Sequence, residues 1–172
     1  MENNILKLNK FKGKIMEFII AINESDFKKI SKMSDVIWHI AYKNILDEEQ
    51  IIYMLDKFLS INAIKENINS GYKYILLEEN DTFMGFFAYE FKDDYIFLSK
   101  LYILPEFQNI GLARASINYL KNYRLPIRLT VNKFNENAVV KYEKMGFKKI
   151  DSIVTDIGSS YVMDDYVYEL KN

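Results

Sequence analysis

Around Tyr72 the hydrophobic spacing of this chain changes period, and that change limits the folds open to it. Before it, apolar residues recur three and four apart: Phe27, Ile30, Met33, Ile37 and Ile40, then Ile51, Met54, Leu55 and Phe58. Such spacing lines one face of successive helices. After it, "YKYILLEE", "FMGFFAYEF" and "YIFLSKLYIL" are rich in β-branched and aromatic residues, with "NDT" and "KDD" between them. These are strand runs joined by the turn chemistry of antiparallel hairpins. A chain with both periods in separate blocks builds a sheet and packs helices on it.

Punctuation sharpens the reading. Asn23 precedes the first helical pattern, and Asp47 with Gln50 three residues later predicts a capping box for the second. Ser60 caps a short further helix that Ser70-Gly71 ends. "IMEFIIA" (15–21) predicts a strand ahead of the helices. Beyond the three sheet runs come a helix from about Ile110, a strand "IRLTVN", a helix "NENAVVKYEKM", and two strands joined by "GSS". With the short helix after Ser60 set aside, the order is β-α-α-β-β-β-α-β-α-β-β, an α/β chain with a mixed, mostly antiparallel sheet flanked by helices on both faces. Residues 1–14 are polar and weakly periodic and read as an N-terminal extension. Residues 15–172 read as a single domain, since no linker, repeat or low-complexity segment divides them.

Composition excludes several chemistries. Without cysteine there is no disulfide, thiolate metal site or cysteine nucleophile, and one histidine, His39, makes neither a histidine zinc site nor a histidine triad. No metal is expected. A formal net charge of −1 gives no basic surface for nucleic acid. No window approaches the roughly 18 apolar residues that span a bilayer, and the N-terminus lacks a signal-peptide core. The expectation is a cytoplasmic protein without a membrane partner.

The most chemically specific stretch is "LYILPEFQNIGLARASINYL" (101–120). A strand ends near Leu104, and a helix opens behind Gly111. The first amides of a helix lack intrahelical partners and carry the positive end of its dipole, so such a turn attracts an anion. Gly111 allows close backbone approach, Ala113 keeps the next turn slim, Gln108 offers an amide and Arg114 a fixed charge. A glycine here also fits a plain tight turn. The stretch is neither G-x-G-x-x-G nor a Walker A loop.

A second segment, "NENAVVKYEKMGF", follows about two dozen residues downstream. Together the two resemble the GNAT superfamily of acyl-CoA-dependent N-acetyltransferases. The family's [Gln/Arg]-x-x-Gly-x-[Gly/Ala] motif matches Gln108-Asn109-Ile110-Gly111-Leu112-Ala113. Its Asn-x-x-Ala-x-x-x-Tyr-x-x-x-Gly-Phe pattern matches Asn135, Ala138, Tyr142, Gly146 and Phe147. The likeness spans roughly residues 15–170. Asn109 stands where the family often has a further glycine, and asparagine tolerates unusual backbone angles.

The resemblance implies a GNAT-like fold with acetyl-CoA as co-substrate. Backbone groups of Leu101, Tyr102 and Ile103 would pair with the pantetheine arm. Amides from Gln108, Asn109, Ile110, Gly111, Leu112, Ala113 and Arg114 would hold the pyrophosphate. Asn135 would touch the pantetheine or cap its helix, and the Tyr142 hydroxyl would lie beside the thioester sulfur. "IVTDIGSSYVMDDYVYEL" and "YKNILDEEQIIYMLDKF" look like a bacterial subgroup related to the polyamine acetyltransferase PaiA. A homodimer is a further expectation from the family.

Acetyl transfer needs a neutral amine, yet an alkylamine is neutral in only about one molecule per thousand at pH 7. Something must take the proton, a main-chain N–H such as that of Ile103 must serve the oxyanion, and Tyr142 can protonate the leaving sulfur. Tyr142 also fits as a core aromatic. Glu90, His39 and the pair Asp164 and Asp165 are the candidate base or substrate contacts; each also fits as an exposed or packing residue. The acceptor expected is a small-molecule primary amine such as a polyamine. The alternatives are a protein N-terminus or lysine, or a catalytically silent acyl-CoA-binding module.

Overall fold

The computed structural model describes residues 5–11 and 14–171. In chain order these form strands β1 (Ile5–Phe11) and β2 (Lys14–Ile20), then helices α1 (Glu24–Tyr42), α2 (Glu48–Leu59) and α3 (Ile61–Asn69). Strands β3 (Lys73–Glu79), β4 (Thr82–Phe91) and β5 (Ile96–Ile103) follow, then α4 (Leu112–Lys121), β6 (Ile127–Asn132), α5 (Glu136–Lys144), β7 (Lys148–Gly158) and β8 (Tyr161–Leu170). Among the described residues the strands make one sheet of eight, in the order β1-β2-β3-β4-β5-β6-β8-β7. Every pairing is antiparallel except β5 with β6. The mixed α/β fold expected from the two periods is the fold observed.

One boundary differs. Ile5–Phe11 pairs with β2, so the sheet begins inside the segment read as an extension. An edge strand joins through main-chain hydrogen bonds, which a polar sequence makes as readily as an apolar one, and the weak alternation of "ILKLNKF" hid it.

The punctuation acts largely as expected. Asn23 accepts from the Asp26 amide at 3.1 Å, and Ser60 accepts from Ala63 at 3.3 Å. Asp47 accepts from the Gln50 amide at 2.7 Å, but the reciprocal half of the box is missing. The Gln50 side chain turns instead toward the Met54 sulfur, so α2 carries a one-sided cap. Asn80 and Asp81 both adopt positive φ, 48° and 61°, the conformation a tight β3–β4 hairpin turn requires.

Strand alternation sorts the sheet's side chains into two cores. Tyr74, Leu76, Phe86 and Ala88 face α1–α3, where Phe27, Ile30, Ile51 and Ile64 meet them. Ile75, Leu77, Phe87 and Tyr89 face the other way, onto Ile117 and Leu120 of α4. Each of the leucine, isoleucine and phenylalanine side chains among these removes enough apolar surface to contribute about 1.5–3 kcal/mol. Ile40, expected on the α1 core face, is 53% exposed.

Two local features shape the middle of the sheet. In the β4–β5 register Ala88 faces Lys100 and Tyr89 faces Leu98, so Ser99 is an extra residue and bulges β5. Gly85 faces Ile103; a Cβ there would collide with the Tyr102 carbonyl and lie 3.0 Å from the Ile103 Cα. Only glycine lets β4 and β5 close at this point.

Candidate active site

Strands β5 and β6 pair only at Ile96–Ile127 and Phe97–Arg128, then part. Beyond the Ser99 bulge β5 runs to Ile103 with one edge unpaired. Leu104 donates to the Met84 carbonyl at 2.9 Å, so the alternation of the ladder turns the N–H groups of Leu101 and Ile103 toward that open edge. The gap widens into a cleft of about 680 Å³, closed by α4 and α5 on one side of the sheet and by α1 and α2 on the other.

At one end lies the turn into α4. Asn109 has φ 61° and Gly111 φ 99°, two left-handed residues that curl the main chain around the helix start. No side chain caps α4, and Ala115 is the first amide to bond back, to the Gly111 carbonyl at 3.0 Å. The earlier amides of the helix are left to face the cleft. Gln108 does not offer its amide to an anion: its Nε2 donates to the Ile103 carbonyl at 3.2 Å and ties the turn to β5. Its Oε1 accepts from Lys141 at 3.3 Å. Lys141 and Lys144 of α5 therefore join Arg114 along the wall, cations the sequence reading missed although both flank Tyr142.

Of the expected cofactor residues, Leu101, Tyr102, Ile103, Gln108, Asn109, Gly111, Leu112, Ala113, Arg114 and Asn135 all line the cleft; Ile110 packs into the core instead. Asn135 caps α5, its Oδ1 accepting from the Ala138 amide at 3.2 Å, and its NH₂ is turned to the Tyr42 hydroxyl at the cavity wall. Tyr142 is half-buried against Phe147, ring centroids 5.5 Å apart, and its hydroxyl has no hydrogen-bond partner among the described residues. Burial holds the phenol above the ordinary tyrosine range, so it stays a proton donor.

The opposite end is aromatic and polar at once. Trp38 stacks on Tyr42 at 4.6 Å and meets Tyr102 edge-on at 6.2 Å. The Trp38 Nε1 is buried without a hydrogen-bond partner, and so is Oδ1 of Asp165. Asp165 is 4% exposed on β8 and lines the cleft. Burial pushes its carboxyl up to about 6; the Asp164 carboxylate adds to this, and Lys133 opposes it. Lys100 also lines the cleft, and burial lowers its ammonium to about 8.

The other candidates do not converge. Asp164 pairs with Lys133 and does not line the cleft. Glu90 pairs with Lys92 at 2.8 Å, also away from it. His39 lies on the outer side of α1, its ring between the Asp35 carbonyl at 2.7 Å and Glu48 at 3.1 Å. Those contacts join α1 to the start of α2. Among the described residues no cluster of histidine and acidic side chains could hold a metal, and no helix is long and apolar enough to cross a membrane.

Residues 43–163 match the model of the acetyltransferase (GNAT) domain, and the chain belongs to that family. It is 38% identical over 63 residues to an uncharacterised N-acetyltransferase of Oceanobacillus iheyensis, a match spanning 37% of this chain and 38% of that one. The PaiA N-acetyltransferase of Thermoplasma acidophilum, solved with coenzyme A, superposes with a TM-score of 0.72 at 20% identity over 90% of this chain and 99% of its own. A GCN5-related N-acetyltransferase of Rhodopseudomonas palustris gives 0.73 at 10% identity over 97% and 99%. At such identities the solved structures share the fold.

Proposed function

We propose that this protein transfers the acetyl group of acetyl-CoA to the primary amine of a small molecule, with Asp165 taking the proton and Tyr142 supplying one to the departing sulfur. One observation carries the reading. A single cleft joins an uncapped helix start flanked by cations to a buried carboxylate whose Oδ1 lacks a hydrogen-bond partner, with the open edge of β5 between them. The Thermoplasma PaiA, which has the same fold, binds coenzyme A.

The diphosphate lies on the amides that follow Asn109, with Arg114, Lys141 and Lys144 around it. The pantetheine pairs along Leu101–Ile103 and meets the Asn135 amide. The amine enters between Trp38, Tyr42 and Met163 and reaches Asp165. With its pKa near 6, Asp165 is ionised at neutral pH yet basic enough to share the ammonium proton. The neutral nitrogen attacks the thioester carbon, an outward N–H of β5 receives the oxyanion, and Tyr142 protonates the thiolate. A negative group at the acceptor end favours a cationic amine, which supports the polyamine class. Walls on both sides of the sheet favour a small acceptor over a folded protein's surface.

The test is calorimetric binding of acetyl-CoA followed by thiol release across a panel of polyamines, amino acids and peptides. Binding is expected, and Gly111→Glu is expected to abolish it through bulk and charge. Binding without amine-dependent thiol release would leave a silent binding module, and turnover confined to peptides would overturn the acceptor class.

A further inference from the structure

The acceptor wall contains an amine of its own. Lys100 sits between the Ser99 bulge and the open edge Leu101–Ile103, and it lines the cleft. Its Nζ donates to Ser99 Oγ at 3.0 Å and lies 5.9 Å from the Tyr72 ring and 5.6 Å from that of Tyr74. Among the described residues it has no ion-pair partner. The facing groups do not supply one: Glu90 on β4 is held by Lys92 at 2.8 Å, and the Tyr74 hydroxyl on β3 accepts from Asn67 at 2.9 Å. The two aromatic faces offset part of the cost of burying the cation.

An unneutralised buried ammonium lowers stability, and a methionine would fill similar space without that penalty. What lysine adds is an amine that can lose its proton. With its pKa lowered to about 8 the neutral fraction at mildly alkaline pH is roughly two-hundredfold that of an exposed lysine. If acetyl-CoA lies along Leu101–Ile103, as the proposed function has it, the thioester comes within the sweep of this side chain.

We infer that Lys100 is a self-acetylation site, taking the acetyl group from the acetyl-CoA bound in its own cleft. The Nζ lone pair attacks the thioester carbon, the C–N bond forms as the C–S bond breaks, and coenzyme A leaves as the thiolate. The proton lost by the amine goes to that thiolate. The product is an amide on the strand wall and free coenzyme A, with no further reactant. Acetylation removes the one cation of β5 from the acceptor end and places an acetamide there.

The experiment incubates the full chain with acetyl-CoA, without acceptor, and follows each lysine by peptide mass spectrometry. Lys100 is expected to gain one acetyl group more than about tenfold faster than any other lysine. The fraction modified per unit time should be independent of protein concentration, as an intramolecular step requires, and Gly111→Glu should abolish it. Lys100→Arg should remove the mass gain while the chain still binds acetyl-CoA by calorimetry. Lys100 left unmodified by a chain that turns over external amines would overturn this inference and leave the proposed function standing. Modification at the rate of surface lysines would overturn it equally. Failure to bind acetyl-CoA at all would remove both.

Discussion

Replacing Asp165 by asparagine should stabilise the protein while disabling it, and the size of the effect follows from the burial of one carboxyl. In the unfolded chain this aspartate titrates at its ordinary 3.8; in the folded protein it is raised to about 6. The folded state therefore binds the proton more tightly than the unfolded state. Linkage then fixes the sign: the ionised form is a liability in the fold, fully present above about pH 6 and withdrawn as pH falls toward 4. The separation corresponds to about 3 kcal/mol at pH 7.5. Asparagine keeps a buried amide that also lacks partners, so a gain of about 1–3 kcal/mol is expected, or about 2–10 °C in Tm for a chain of this size.

Urea unfolding of wild type and Asp165→Asn at pH 7.5 and pH 4 checks this, with thiol release measured on both. The variant should be the more stable at pH 7.5, the two should approach each other at pH 4, and turnover should fall by about 10²-fold or more. A variant less stable than wild type at pH 7.5, or a difference that does not change with pH, would refute the claim that burying this ionised carboxylate costs the fold stability. The proposed base would lose its physical ground with it.

Three further outcomes are expected. Tyr142→Phe should lower kcat by about 10²-fold with little change in acetyl-CoA affinity by calorimetry; loss of binding instead would make the ring a packing element. The kcat/KM of wild type should rise with pH through about 6, and a profile flat between pH 5 and 7 would dismiss Asp165 as the base. Gly85→Ala should destabilise by about 1–3 kcal/mol in urea, because its Cβ meets the Tyr102 carbonyl; an unchanged midpoint would show that β4 and β5 can yield there.

The proposed coenzyme end of the site is legible because local backbone builds it. Gln108 to Arg114 are consecutive, and the glycine, the left-handed asparagine and the uncapped helix start follow from residue types in fixed order. Even there one role was misassigned. Residue type alone makes Gln108 a donor to the anion; in the fold its Nε2 donates to the Ile103 carbonyl instead. The acceptor end was far less legible, because Trp38, Lys100, Tyr102 and Asp165 come from α1, β5 and β8 and meet only through sheet order. In sequence nothing separates Asp164 from Asp165. Strand alternation does: one turns out to Lys133 and the other into the cleft. Lys100 is not legible because a lysine in a strand run is ordinarily a solvated side chain, and the Ser99 bulge that sets its direction leaves no sequence mark. The pairing of Ile5–Phe11 was hidden for a related reason, being a matter of main chain.

The same desolvation explains why the cleft suits proton movement. Taking a carboxyl out of water raises its pKa and taking an ammonium out lowers it, so Asp165 near 6 and Lys100 near 8 have each moved toward neutrality. The ordinary values of 3.8 and 10.5 would hold an acid and a base far from the pH at which an amine must be deprotonated and a thiolate protonated. Here the acid-to-base interval narrows to about two decades centred near pH 7. Its source is the parting of β5 from β6 after Phe97, which opens a space between the helix layers without opening the acceptor end freely to solvent. A change that closed the gap, or that flooded it, should move both groups back toward their ordinary values together. Titrating Asp165 and Lys100 in one sample, by carboxyl and ε-carbon NMR shifts, measures that coupling directly. Return of one group alone would mean that separate local causes, and not the shared cleft, set the two.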